Sequence, residues 1–275
     1  MPALLMDGIS AIAERVRRST VQVEGRGHGG GSGVVWGADG LVVTNAHVLR
    51  GGGARVTAPG APPIRARVTA LDRRLDLALL QADSRDLPAA TIGDSSALRV
   101  GELIFAVGSP YGHAGTVTMG IVHDGDTRRW IESDLRLAPG NSGGPLADAE
   151  GRVIGINTMV VNRLALSIPS AIVERFVARQ GKPARRLGVT VRPVAVAGFG
   201  LLILEMDPRG LAYNAGLHTG DILTGAAGTP FQAPFDLALA LESAGSRVTL
   251  DVLRGGRPIT LAVDFELEPV GAEVG

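Results

Sequence analysis

Between residues 20 and 157 the apolar positions fall in short, β-branched runs separated by glycine: 20–24, 33–36, 41–44, 55–58, 64–71, 75–81, 102–107, 116–122, 129–132 and 152–157. Many short strands with turn signals at near-regular intervals predict an all-β sandwich or barrel. Ahead of them, Ile9, Ile12 and Val16 recur at helical spacing within residues 7–18, and Glu14 lies four before Arg18. That pattern predicts a short amphipathic helix packed on the sheet.

The period changes again beyond residue 157. Residues 169–180 open with Pro169 and place Ile172, Val173, Phe176 and Val177 on one face, which predicts a helix ending at Gly181. Lys182-Pro183-Ala184-Arg185-Arg186 reads as a linker. Past it, 187–191, 200–205, 247–254 and 259–265 read as strands, and 210–215 and 233–243 as helices. The expected organisation is a first domain over 1–181, a linker over 182–186, a smaller α+β domain over 187–268 and a flexible tail over 269–275.

Composition narrows the function classes. The chain has 275 residues, 45% hydrophobic and 20% charged, as folded proteins do. Lys plus Arg and Asp plus Glu are equal at 27 each, so no global field favours nucleic acid or an acidic membrane surface. Cysteine is absent, which removes disulfides, thiolate metal sites and a cysteine nucleophile. Residues 1–7 lack a basic leader region, and their apolar run is too short for a signal peptide or membrane span. A cytoplasmic location is expected on that ground, with the periplasm or another extracytoplasmic space as the alternative if a leader or anchor precedes the numbered residues.

Gly140-Asn141-Ser142-Gly143-Gly144-Pro145 gives up backbone stability for geometry, since its glycines permit a tight turn that leaves the Ser142 hydroxyl unobstructed. A serine nucleophile needs a base and a group that orients the base. A plain polar turn between strands is the competing reading. Of the histidines, His28, His113, His123 and His218 lie in glycine-rich or polar surroundings and read as solvated. His47 instead follows the apolar run Leu41-Val42-Val43-Thr44, where its near-neutral titration suits a positioned proton acceptor. Among the acids, Asp72 precedes Arg73 and Arg74 and reads as a hydrated charge cluster. Asp76 is embedded in Leu75-Asp76-Leu77-Ala78-Leu79-Leu80, where a buried carboxylate needs a partner. An imidazole N–H would supply one, and backbone amides are the alternative.

The order His47, Asp76, Ser142 is that of chymotrypsin-type proteases rather than of nucleophile-elbow hydrolases. Thr44-Asn45-Ala46-His47-Val48, Asp76-Leu77-Ala78-Leu79-Leu80 and Pro139-Gly140-Asn141-Ser142-Gly143-Gly144-Pro145-Leu146 resemble the three signature blocks of the HtrA/Deg serine proteases. Gly31-Ser32-Gly33-Val34-Val35, Thr116-Val117-Thr118-Met119-Gly120-Ile121-Val122 and Gly155-Ile156-Asn157-Thr158 are similar to that family's intervening pattern. Beyond the linker, Gly200-Leu201-Leu202-Ile203, Asn214-Ala215-Gly216-Leu217, Gly220-Asp221-Ile222-Leu223 and Val252-Leu253-Arg254-Gly255-Gly256 are similar to the PDZ domain that follows the protease there.

The resemblance implies a mostly β fold: two six-stranded β-barrels with the triad between them, followed by a small PDZ domain that binds peptide C-termini. It implies a serine endopeptidase of unfolded or misfolded proteins that needs no cofactor or metal. The rivals are a peptide-binding chaperone or adaptor that keeps the fold without hydrolysis, and an esterase using the same triad. The implied oxyanion hole is the amides of Gly140 and Ser142, shaped by Asn141 between them. Leu137, Val160 and Val161 would line an apolar pocket for an aliphatic side chain. Arg136, where the family commonly has a small apolar residue, is expected to turn to solvent. Leu187, Gly188 and Val189 match the loop whose amides capture a terminal carboxylate. The resemblance also implies a homotrimer, although the aromatic residues that knit family trimers are missing from 1–7, and the regulatory loop over 123–129 is short.

Overall fold

A computed structural model describes residues 2–25, 30–49, 53–110, 115–124, 129–179, 186–196, 198–234 and 236–265, with side chains from Gly8 onward. His28, His113, most of the expected linker, the centre of the short loop over 123–129 and the expected tail lie outside the described residues. The chain divides into two compact units, Met1–Lys182 and Pro183–Gly275.

The first unit opens with helix α1 (Pro2–Arg18), longer at its N-terminus than the periodicity predicts. Its C-terminal end is closed by Ser19 Oγ and Thr20 Oγ1, which both donate to the Val16 carbonyl, at 3.1 and 2.8 Å. Six strands follow: β1 (Thr20–Gly25), β2 (Gly30–Val35), β3 (Leu41–Asn45), β4 (Ala54–Thr57), β5 (Ile64–Asp72) and β6 (Leu77–Ala82). They close into a barrel in the order β1-β2-β3-β6-β5-β4. Val21, Val23, Val35, Val42, Val56 and Leu80 fill it, mostly small β-branched valines suited to a narrow interior. Strand β6 starts two residues later than the apolar run predicts, because Asp76 stands at φ 54°, a left-handed conformation that breaks a strand.

A second set comprises β7 (Leu103–Gly108), β8 (Thr116–Ile121), β9 (Ile131–Ser133), β10 (Pro145–Asp148), β11 (Val153–Val161) and β12 (Leu164–Pro169). Its order is β8-β7-β10-β11-β12-β9. Unlike the first set it is an open ladder, whose ends meet through one bridge between Val122 and Ser133. Ile104, Val122, Ile131, Leu146 and Ile154 pack inside its curve. Strand β12 has no counterpart among the predicted runs, since its central residues are buried on both faces and show no polar alternation. The expected packing of the first helix is present: Val16 meets Val107 of β7 and Ala147 of β10. Helix α2 (Ser170–Ala178) closes the unit, with Ile172, Val173 and Phe176 buried.

The second unit holds β13 (Val189–Ala195), β14 (Phe199–Met206), α3 (Leu211–Asn214), β15 (Ile222–Ala226), β16 (Thr229–Pro230), α4 (Asp236–Ser243), β17 (Arg247–Arg254) and β18 (Arg257–Asp264). Its sheet runs β13-β14-β15-β17-β18, with β16 paired to β15. Leu201, Ile203, Leu223, Leu250, Val252 and Val263 form its core beneath the helices. Strand β13 is a sheet edge, paired with β14 along one side.

Candidate active site

His47 occupies a single 3-10 turn, Ala46–Val48, at the end of β3. The turn buries Ala46 and Val48 and leaves the His47 side chain 50% exposed. Asp76 precedes β6, which pairs with β3 through Asn45 and Leu77, so neighbouring strands bring base and acid together. The Asp76 carboxylate is buried and accepts twice from the same residue: Oδ1 from the His47 backbone N–H at 3.0 Å, Oδ2 from Nδ1 at 2.7 Å. Because an ionised carboxylate can only accept, this contact favours the tautomer with the ring proton on Nδ1, which leaves Nε2 for a second partner.

The backbone of Asp76 is fixed as well. Its carbonyl accepts from Ala46 N–H at 3.1 Å and from Asn45 Nδ2 at 2.9 Å. A left-handed non-glycine residue costs on the order of 1 kcal/mol, and these contacts hold it there. Asn45 is fully buried, and its Nδ2 also donates to Thr158 Oγ1 at 3.0 Å, reaching from the barrel to β11 of the second sheet.

Ser142 lies in the turn before β10, half-buried. Its hydroxyl donates to the Thr158 carbonyl at 3.0 Å rather than to His47. The turn is shaped by glycine where nothing else fits. Gly140 stands at φ 106° with Ser109 O where a Cβ would go, and Gly143 at φ 84° against Ser32 O and Thr44 Oγ1. Asn141 N–H donates to Ala138 O at 3.0 Å and Gly143 N–H to Asn157 O at 2.8 Å. The amides of Gly140 and Ser142 have no acceptor within the described residues. Two uncommitted donors beside a serine hydroxyl are what a developing oxyanion requires.

Leu137 is half-buried against the second sheet's core. Val160, 49% exposed, and Val161, half-buried, follow Thr158 on β11 and pair with Ala165 and Leu164 of β12. Arg136 is exposed. In the second unit, Leu187 is buried and its carbonyl accepts from Ala212 N–H at 2.8 Å. Gly188 stands at φ 77° and its carbonyl accepts from Asp207 N–H at 2.7 Å, while Val189 opens the edge strand β13. His123 and His218 are exposed.

One expectation reverses. Asp72 is not a hydrated charge: it is 6% exposed, and Oδ1 accepts from the amides of Arg74 and Leu75 while Oδ2 meets Arg74 Nη2 at 3.0 Å. It closes the turn that delivers Asp76. Sequence reasoning also gives no role to Ser32, Asn45 or Thr158, although all three are buried polar residues inside the motif blocks. A polar residue one step from a glycine or two before the base was the available signal.

Comparison with known proteins agrees with this fold. A family model described as a trypsin-like peptidase domain matches residues 31–156. A "Probable periplasmic serine endoprotease DegP-like" of Pseudomonas savastanoi pv. phaseolicola is 34% identical over 89% of this chain, which spans 57% of that relative's length. "Protease Do-like 1, chloroplastic" of Arabidopsis thaliana is 35% identical over 95% of this chain and 69% of its own. Among solved structures, the serine endoprotease from Yersinia pestis superposes with a TM-score of 0.64 at 26% identity, covering 93% of this chain and 96% of that one. With a closed barrel and a curved sheet meeting at these residues, and a relative matched over more than two thirds of its length, the chain belongs to the HtrA/Deg family of serine proteases.

Proposed function

We propose that the chain is a serine endopeptidase of unfolded polypeptides, with His47, Asp76 and Ser142 as its catalytic triad. The observation that carries the reading is the paired His47 and Asp76 lying at the seam where Ser142 and two uncommitted amides stand. The Ser142 hydroxyl rotates from the Thr158 carbonyl to His47 Nε2, which takes its proton as Oγ bonds to the peptide carbonyl carbon. The Gly140 and Ser142 N–H groups hold the resulting oxyanion. His47 then protonates the leaving amine, the C–N bond breaks, and an acyl-enzyme remains. Water repeats the sequence to release the acid, and Asp76 keeps the ring oriented throughout. Leu137, Val160 and Val161 supply an apolar lining that favours an aliphatic residue such as Val, Leu or Ala before the cleaved bond.

In the second unit, the edge strand β13 and the loop at Leu187, Gly188 and Val189 support a PDZ role, in which a peptide adds as a strand and its terminal carboxylate meets loop amides. The domain limits are then those expected from sequence, with protease over 1–181 and PDZ over 187–268. No described helix is long and apolar enough to cross a membrane. The relatives named above are periplasmic and chloroplastic, which supports an extracytoplasmic compartment rather than the cytoplasm. Assembly as a homotrimer rests on the family resemblance, and light scattering reads it directly.

A fluorophosphonate probe should label the wild-type protein and not Ser142→Ala, and casein should be cut by the first alone. Mass spectrometry of the new termini reports the preferred residue. One observation favours the adaptor reading, namely the Ser142 hydroxyl turned to Thr158. Absence of labelling in both proteins, with peptide binding intact, would establish that reading instead.

A further inference from the structure

Ser32, on strand β2 of the barrel, hydrogen-bonds to the backbone on both sides of Asn141, at Gly140 and Ser142, yet touches no reacting atom. Its side chain is fully buried. Its backbone N–H donates to the Ser142 carbonyl at 2.8 Å, and its Oγ donates to the Gly140 carbonyl at 2.7 Å. The same Oγ accepts from Ser109 N–H at 2.8 Å, so the hydroxyl is a relay with both its directions used.

Peptide planarity converts these contacts into orientation. The plane joining Gly140 to Asn141 is held at both ends, by Ser32 Oγ on the carbonyl and Ala138 O on the amide. The plane joining Ser142 to Gly143 is likewise held, by Ser32 N–H on the carbonyl and Asn157 O on the amide. Between them, the Asn141 carbonyl accepts from Gly144 N–H at 3.0 Å, which turns the Ser142 N–H the opposite way. Three consecutive planes are thereby fixed: they orient the Ser142 N–H directly and pin the carbonyl side of Gly140, whose own N–H lies in the preceding peptide and, like the Ser142 amide, has no acceptor among the described residues. The glycines complete the fit: a Cβ on Gly143 would strike Ser32 O, and one on Gly144 would lie 3.0 Å from Ser32 Cβ.

We infer that Ser32 is the positioning residue of the oxyanion hole, its hydroxyl setting the turn so that both donors face the reacting carbonyl. This rests on the protease reading above. A residue of this kind acts on the transition state and leaves ground-state binding alone, so its loss lowers kcat and spares KM.

The test uses the full chain with a peptide substrate and a fluorophosphonate probe, and Ser142→Ala as the inactive control. Ser32→Ala should lose about 10- to 100-fold in kcat, less than or equal to the loss of a whole oxyanion donor. KM should stay within about twofold, labelling should slow by the same factor as kcat, and the pH midpoint of kcat/KM should stay put because His47 and Asp76 are untouched. Ser32→Cys, near-isosteric and a weaker donor, should fall between wild type and alanine. It also serves as the test if the alanine variant does not fold. A folded Ser32→Ala or Ser32→Cys with wild-type kcat overturns the inference and leaves the protease reading standing. A loss in which KM and the pH midpoint move with kcat also overturns it, because that is general distortion. A wild-type protein that neither cleaves nor labels removes the protease reading and this inference together.

Discussion

Asn45 shows how a single buried amide can serve two strands. Its Nδ2 holds the Asp76 carbonyl and the Thr158 hydroxyl, while Oδ1 has no partner among the described residues, so the group works as a donor. Asn45→Ala takes one of two donors from the Asp76 carbonyl, which keeps Ala46 N–H, and the described donor from Thr158 Oγ1, and should lower stability by about 1–3 kcal/mol in urea unfolding. The acid itself is tested by Asp76→Asn, which can still accept from the His47 backbone but no longer fixes the ring proton on Nδ1. A loss on the order of 10⁴ in kcat with a native-like unfolding midpoint is the expected result. At this scale the sequence made the paired candidates legible, because His47 and Asp76 stand out against apolar neighbours. Their supports were not. Ser32 and Thr158 look like ordinary strand residues until the fold sets the Gly140 carbonyl against the Ser32 hydroxyl and the Ser142 hydroxyl against the Thr158 carbonyl, and Asp72 looked hydrated because its adjacent arginines hid a turn-closing role.

Among the described side chains, helix α1 docks through its C-terminal half. Val16, 1% exposed, meets Val107 and Ala147, and Arg15 Nη1 donates to the Glu150 carbonyl at 2.9 Å. Val16→Ala removes two methyl groups from that contact and should cost about 1–2 kcal/mol, read as a lower denaturant midpoint with unchanged slope. Strands with a clean run of β-branched residues were legible one by one, as β1, β3 and β17 show. Those buried on both faces, such as β12, or opened by a proline after a glycine turn, such as β10, carried no period to read. The start of β6 was misplaced for a different reason: the backbone at Asp76 obeys its hydrogen bonds and not the apolar run around it.

For the whole molecule, the division into two units should be visible in acid. Asp221 of the second unit is buried, which alone would raise its pKa, but hydrogen bonds from Arg254 and from the His218 amide together hold it below the usual carboxylate value. Arg254 Nε and Nη2 reach its two oxygens at 2.8 and 2.7 Å. A carboxyl whose folded-state pKa is depressed lends stability that is complete above its unfolded value and lost as pH falls through the folded one. The second unit should therefore weaken on acidification below about pH 4. Arg254→Met should lower its melting point at neutral pH and flatten that acid limb, measured by calorimetry, while the transition of the first unit stays unchanged. The order of units and the mixed character of the second could be expected from the change in period near residue 181. The openness of the second sheet could not, since closure depends on how the ends of a curved ladder meet, which no run of residues encodes.

The seam between barrel and sheet has a bearing on the life of the newly made chain. Asn45 and Ser32 come from one half and Thr158 and Ser142 from the other, so neither half alone contains a working set of groups. On the proposed triad, a copy with only one half folded is expected to be inactive, so activity reports the completion of both halves. In a refolding experiment peptide cleavage should appear only after both halves have acquired their tryptophan and circular-dichroism signals, with a lag that lengthens when Asn45 is replaced by alanine.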